Sequence, residues 1–239
     1  MMRSIATQTT SELGGPRSIL VRQRRDHVEL DRLLCAVDGA RGRDRQELLT
    51  RLCRLVFPHA FAEESVLWPA ARRVLPDGAA LTLTVEREHQ EINGLFTELE
   101  KTDPEDARHR ELWSRIESLL RADVRDEEDA LLPGLQTALS RRGLVMLGIV
   151  WDAVRRIAPT RPHPVVSRRP PGNVLAAVPL TVTDRLRDRL DRYARRSGGV
   201  RAVAAQRISA RLAKVAGAVE HVPPLTHGED LSTRDPEAT

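Results

Sequence analysis

The sequence predicts an all-α protein, an antiparallel up-and-down four-helix bundle with additional C-terminal helices. Three observations carry this. Four segments before residue 140 repeat apolar residues at intervals of three and four, the spacing that puts them on one face of a helix. No stretch sustains the alternating pattern of a half-buried strand. The segments are joined by short Gly-, Asp- and Pro-containing links, which make consecutive helices antiparallel neighbours.

The first segment, about residues 16–38, aligns Leu20, His27, Leu30, Leu34 and Val37, and Gly39 and Gly42 end it. The second, about 44–75, aligns Leu48, Leu52, Leu55, His59, Glu63, Val66 and Ala70 and stops at the PDG of 76–78. Pro58 and Pro69 fall inside it, so a kink or brief break is expected. The third, about 79–102, aligns Leu81, Val85, His89, Ile92, Phe96 and Leu99. The fourth, about 104–132, aligns Leu112, Ile116, Leu119, Leu120, Asp123, Glu127 and Leu131. Residues 17–138 thus make the bundle, and 139–158 a further helix packed on it. Prolines from 159 to 180 predict a linker or extended clamp. Residues 181–219 read as a basic amphipathic helix pair or broken helix, 220–239 as a polar tail, and 1–16 as a disordered, polar N-terminus.

Composition excludes several classes. With 41% apolar, 30% charged and 3% aromatic residues, the protein is globular with an aliphatic core. Cys35 and Cys53, without CxxC spacing, support neither a disulfide framework nor a thiolate zinc site and read as reduced core residues. The N-terminus lacks the apolar run of a secretory signal, and the longest apolar run, 144–151, is too short to span a bilayer. The expected location is the cytoplasm.

Charge is unevenly placed. Residues 159–219 hold thirteen Arg or Lys against three Asp, a balance of +10 that leaves −6 for the rest of a protein of formal net charge +4. The simplest expectation is that this basic segment packs on the acidic bundle. An acidic partner, an anionic membrane surface and nucleic acid are the alternatives, although no clear recognition helix or set of stacking aromatics is present.

The chemistry lies on the buried faces. Each bundle helix carries ionisable groups in its apolar stripe: His27; His59 with Glu63; His89; and Asp123 with Glu127. Residues four apart on a helix sit one above the other and can aim at one point. Six such groups facing inward carry a prohibitive desolvation cost unless they neutralise one another or hold a metal. Imidazoles with carboxylates suit iron, or manganese as the lesser alternative, better than zinc. Two carboxylates able to bridge favour two ions. His109 also lies on the fourth segment, but about 21 Å along the axis from Asp123, too far to join them.

In order and spacing, DHVEL (26–30), HAFAEE (59–64), EHQEI (88–92) and DVRDEE (123–128) resemble the hemerythrin-like, HHE cation-binding domains. That family's pattern is a lone His, His-x-x-x-Glu, a lone His, and His-x-x-x-Glu on four successive helices. EESVLWP at 63–69 is echoed by EEDALLP at 127–133, as in an internal repeat. The resemblance covers roughly 17–138 and implies a metal centre of His27, His59, Glu63, His89, Asp123 and Glu127, holding two non-haem irons bridged by Glu63 and Glu127. It departs at Asp123, where the family has histidine. That shorter side chain binds after a small helix shift, acts through water, or leaves one metal position open. The implied ligands are dioxygen, peroxide or nitric oxide, with peroxide breakdown among the implied activities. The alternative is an iron-, oxygen- or redox-sensing module acting through the basic segment. Glu64 and Glu128 read as helix-edge groups or supports of the ligands, Asp26 and Glu88 as solvent-facing, and His163, in a PTRPHP stretch similar to one that follows the bundle in long bacterial relatives, as part of a structural clamp.

Overall fold

A computed structural model describes residues 3–226. The bundle is built from α1 (Ile19–Gly39), α2 (Gly42–Ala62) continued by α3 (Trp68–Val74), α4 (Gly78–Lys101), and α5 (Ala107–Asp126) continued by α6 (Leu132–Ala138). Ser18 and Asp106 cap α1 and α5, their side chains accepting from the backbone N–H of Leu20 and Arg108, which satisfies an otherwise orphaned donor at each start. Beyond the bundle come α7 (Arg141–Arg156), α8 (Gly172–Arg196) and α9 (Gly199–Glu220). No strand occurs among the described residues, and no helix among them is long and apolar enough to cross a membrane.

The break expected in the second segment takes the same form there and in the fourth. Single π turns, Glu63–Leu67 and Glu127–Leu131, join α2 to α3 and α5 to α6. The carbonyls of Glu63 and Glu127 accept from the backbone N–H groups of Trp68 and Leu132, five residues on. Pro69 and Pro133 follow at once. A proline offers no N–H and its ring crowds the carbonyl four residues back, so the wider turn relieves it, and such turns are frequent at functional sites.

The bundle core is two apolar clusters. One holds Leu30, Leu34, Leu52, Phe57, Phe96, Ile116 and Leu120. The other holds Leu20, Leu67, Trp68, Val85, Leu132, Leu135 and Trp151, and it includes Ile5 and Leu13. The N-terminal stretch is therefore not disordered over its described residues 3–16. Ile5 and Leu13 are fully buried, each worth about 1.5–3 kcal/mol of transfer free energy. Gly14 and Gly15, both at positive φ, turn the backbone inward, and Gln8 Nε2 donates to Gln136 Oε1 at 3.0 Å. Two apolar residues in an otherwise polar stretch were too weak a sequence signal. Cys35, expected in the core, is exposed, and Cys53 is half-buried.

α7 crosses α1 very closely at Gly148, where a Cβ would stand 2.3 Å from Arg17 O and 2.7 Å from Ile19 N. After α7 an irregular strap, 157–171, runs between the bundle and the α8/α9 hairpin. Val166 packs with Ala176, Leu180, Ala216 and Leu225. Thr160 and Arg161 donate their backbone N–H groups to Asp184 Oδ2. The basic hairpin and strap meet the bundle through Arg161–Glu100, Arg187–Glu100 and Arg195–Glu47, with a reversed pair at Arg54–Asp188. Of the polar tail, residues 227–239 lie outside the described residues, and α8 begins at Gly172, inside the stretch expected to be linker.

Candidate metal centre

The ionisable groups lie where the two apolar clusters meet. α1 supplies His27 and α4 supplies His89. His59 lies in the last turn of α2 and Asp123 in that of α5, and each leads into the π turn that carries Glu63 or Glu127. All are buried but His59, whose side chain is only 13% exposed.

The six residues come together as two overlapping sets. One ligand atom each from His27, His59, Glu63 and Glu127 lie within 4.8 Å of one another, and so do atoms of His89, Asp123 and Glu127. Glu127 belongs to both. His59 Nε2 is 2.9 Å from Glu63 Oε1, His27 Nε2 is 3.3 Å from Glu127 Oε2, and His89 Nε2 is 3.6 Å from Asp123 Oδ2 and 3.8 Å from Glu63 Oε2. Asp123 thus reaches the cluster from the position where the resemblance expects histidine.

The donor set fits a cation. His27 Nε2, both oxygens of Glu63, Asp123 Oδ1 and Glu127 Oε1 are buried and make no well-aligned hydrogen bond, although Glu63 Oε1 and His27 Nε2 have ion-pair neighbours at 2.9 and 3.3 Å. Buried polar atoms are ordinarily satisfied. Such atoms, on residues of the two overlapping sets, form a donor set that a metal ion would satisfy.

Electrostatics agree. Burial opposes charging of His27, but Glu127 and Glu128 outweigh it and lift its pKa to about 10. Burial likewise opposes charging of His59, which Glu63 and Asp26 lift to about 9, and of His89, which Asp123 and Glu64 lift well above the ordinary value. Burial, with Glu63 and Asp123 nearby, pushes Glu127 up to about 8. Without a cation the cluster keeps protons, and these are what a metal would displace.

Every imidazole is also held from behind. His27 Nδ1 is 2.9 Å from Glu128 Oε1, His89 Nδ1 3.0 Å from Glu64 Oε1, and His59 Nδ1 3.4 Å from Asp26 Oδ2. A carboxylate accepting the Nδ1 proton leaves Nε2 free to face the centre. Asp26, expected to face solvent, is buried, and His59, Arg155 and Arg25 hold its carboxyl below the ordinary range although burial acts the other way. The helical pattern that exposes a residue beside a ligand assumes open solvent there, and α7 covers that side. Glu88, also expected to face solvent, is half-buried, and burial with Asp123 and Asp126 lifts it to about 7. Arg155 and Arg168, which touch Asp26 and Glu64, were not legible as site residues, since neither lies within the motifs.

Beside the centre is a small cavity of about 30 Å³, lined by His27, Leu30, Val56, Phe57, His59, His89, Ile92, Leu120 and Asp123 among others. It has room for about two water-sized occupants. His109 is remote from the cluster, with Nδ1 3.4 Å from Arg45 Nη1. His163 lies in the strap, its Nδ1 2.9 Å from Glu220 and its Nε2 3.0 Å from Asp184.

Fold and site together define a helical-bundle protein with an interior His/carboxylate centre suited to metal ions. The hemerythrin HHE cation binding domain matches residues 18–135, and that part of the protein belongs to the hemerythrin HHE family. The sequence is similar to an uncharacterized hemerythrin-like protein of Schizosaccharomyces pombe, 21% identical over 136 residues, which cover 56% of this protein and 67% of that one. No solved structure matches.

Proposed function

We propose that this metal-binding hemerythrin-like protein is a cytoplasmic non-haem diiron protein that binds or consumes dioxygen, peroxide or nitric oxide. The observation that carries this is the pair of overlapping ligand sets sharing Glu127, which suits two ions bridged by a carboxylate better than one. His27, His59 and Glu63 would hold one ion with Glu127, while His89, Asp123 and Glu127 would hold the other, with Glu63 near enough to bridge. Iron bound there would supply a redox centre and a Lewis acid. Leu30, Val56, Phe57, Ile92 and Leu120 make the wall of the small cavity largely apolar, and its volume suits diatomic molecules or peroxide.

The test is iron content and visible spectrum of protein purified without air, then exposed to air, peroxide or nitric oxide, with Asp123→His alongside. About two irons per protein molecule and a charge-transfer spectrum that changes on exposure support the reading. Asp123→His should leave the stoichiometry intact and tighten retention of the second ion. Protein that stays folded, iron-free and colourless after reconstitution overturns it.

A second reading, a sensor whose metal state is read out through the basic C-terminal segment, is favoured by one observation. Residues of α7 and the strap lie directly behind two of the candidate ligands.

A further inference from the structure

We propose that the segment following the bundle is a working part of the metal centre, in which Arg155 and Arg168 are positioning residues for His59 and His89. The inference rests on the metal reading above. It concerns how the ligands are held and what their occupancy does to the rest of the protein.

Three carboxylates stand behind the three imidazoles, and their surroundings differ. Glu128, behind His27, keeps 13% of its side chain exposed, so water can support its charge. Asp26 and Glu64 are almost wholly buried, and a buried carboxylate is costly without polar partners. Each has a guanidinium from outside the four helices. Arg155 of α7 places Nη2 2.8 Å from Asp26 Oδ2, and Arg168 of the strap places Nη1 3.8 Å from Glu64 Oε1. A guanidinium paired with the carboxylate fixes where that carboxylate stands, and the carboxylate in turn fixes the direction of the imidazole it holds.

Neither arginine is loosely placed. Trp151, buried on α7, meets His59 edge-on at 5.3 Å, and the Arg155 guanidinium lies 5.4 Å from its ring centroid. Arg168 Nη2 donates to the carbonyls of His163 at 2.7 Å and Val166 at 2.9 Å, so its position is set by the folded strap. The strap in turn grips α4 beside the ligand. The His163 N–H donates to Asn93 Oδ1 at 3.1 Å, Asn93 Nδ2 donates to the carbonyl of His89 at 2.8 Å, and Gln90 Nε2 donates to Pro164 O at 3.0 Å. His89 is held at its ring through Glu64 and at its backbone through Asn93, and both connections lead to the strap.

Linkage then requires reciprocity. If the seated strap favours the liganding geometry of His89, metal at His89 favours the seated strap by the same factor. Loss of metal loosens residues 157–171, and the α8/α9 hairpin that packs on them, without any change in the bundle's helices.

The experiment uses the full-length protein and cobalt(II), whose ligand-field bands report ligand geometry without redox turnover. Affinity is read by chelator competition, and strap seating by tryptic cleavage after Arg156 and Arg168 with and without metal, since Arg161 and Arg169 each precede a proline. Arg155→Met should weaken affinity roughly tenfold and shift the bands, Arg168→Met should do so by less because its contact is longer, and lysine at either position should restore part of both. Arg195→Met is the control. It removes a hairpin-to-bundle ion pair with Glu47 that involves neither the strap nor a candidate ligand, so affinity should stay within about twofold and the metal dependence of strap cleavage should persist. Unchanged affinity and bands in Arg155→Met and Arg168→Met, beside a wild type that binds cobalt, overturn the proposal and leave the metal reading standing. In the wild type alone, cleavage of the strap that ignores metal also overturns it. A wild type that takes up no metal overturns the reading beneath it.

Discussion

His163 is bound on both sides by carboxylates, Nδ1 to Glu220 and Nε2 to Asp184, and a ring that donates from both nitrogens is an imidazolium. Burial opposes that charge, but Asp184 and Glu220 outweigh it and raise the pKa from 6.5 to about 9. A raised pKa means that the folded protein holds a proton the unfolded state releases. The stabilisation is therefore complete below pH 6.5 and is lost as pH rises to 9. At 1.36 kcal/mol per unit, the window is worth on the order of 3 kcal/mol, of which about 2 remain at pH 7.5. The perturbation is His163→Gln, which cannot charge and can donate to only one of the two carboxylates. The assay is urea unfolding of metal-free wild type and variant at pH 6, 7.5 and 9.5, taken as a difference so that the titrations of His27, His59 and His89 cancel. The variant should be less stable by about 3 kcal/mol at pH 6 and the two curves should converge by pH 9.5. A difference that is the same at all three values refutes the imidazolium clamp.

Three further outcomes are expected. Gly148→Ala places a methyl against the backbone of residues 17–19 at the start of α1, where nothing flexible is available to yield, and should cost about 2–3 kcal/mol in chemical unfolding. Leu13→Ala should cost about 2–4 kcal/mol in the same assay, since Leu13 is fully buried, whereas an unstructured N-terminus would show no change. Glu127→Gln keeps the shape of a carboxyl whose pKa is pushed up to about 8 but replaces one carboxylate oxygen of the residue common to both ligand sets with an amide nitrogen. Iron per protein molecule should fall from about two to below one, while metal-free stability at pH 7 changes by under about 1 kcal/mol.

The bundle was legible because its information is local. Apolar spacing, short links and the order His27, His59-x-x-x-Glu63, His89, Asp123-x-x-x-Glu127 are all properties of single helices. The six candidate residues that this order picks out do converge. What stayed hidden depends on which surfaces other segments cover. Asp26 reads as solvent-facing until α7 is laid over α1, a placement that turns on the missing Cβ of Gly148. Arg168 lies more than a hundred residues from Glu64, in a proline-rich stretch with no helical period to give its side chain a direction. Ile5 and Leu13 are two apolar residues without periodicity, and only the turn at Gly14 and Gly15 brings both inward.

The repeated EE-to-proline heptad connects sequence, backbone and site most directly. In an unbroken α-helix, neighbouring residues diverge by about 100°, so Glu63 and Glu64 would not both be expected to serve one buried centre. Here Glu63 faces the shared volume while Glu64 reaches His89 Nδ1, and on the opposite helix Glu127 faces the same volume while Glu128 reaches His27 Nδ1. Each pair begins a π turn ahead of a proline, and each spans to a histidine on another helix. Both uses of the motif therefore deliver a candidate ligand and the support for a neighbouring imidazole from consecutive residues. His59 falls outside this arrangement, since its Nδ1 faces Asp26 of α1, and the cations beside that carboxylate are Arg25 of α1 and Arg155 of α7. The repeated motif thus supplies the carboxylates behind His27 and His89 but not the one behind His59, whose support draws on Arg155, which places α7 with the centre rather than with the basic hairpin.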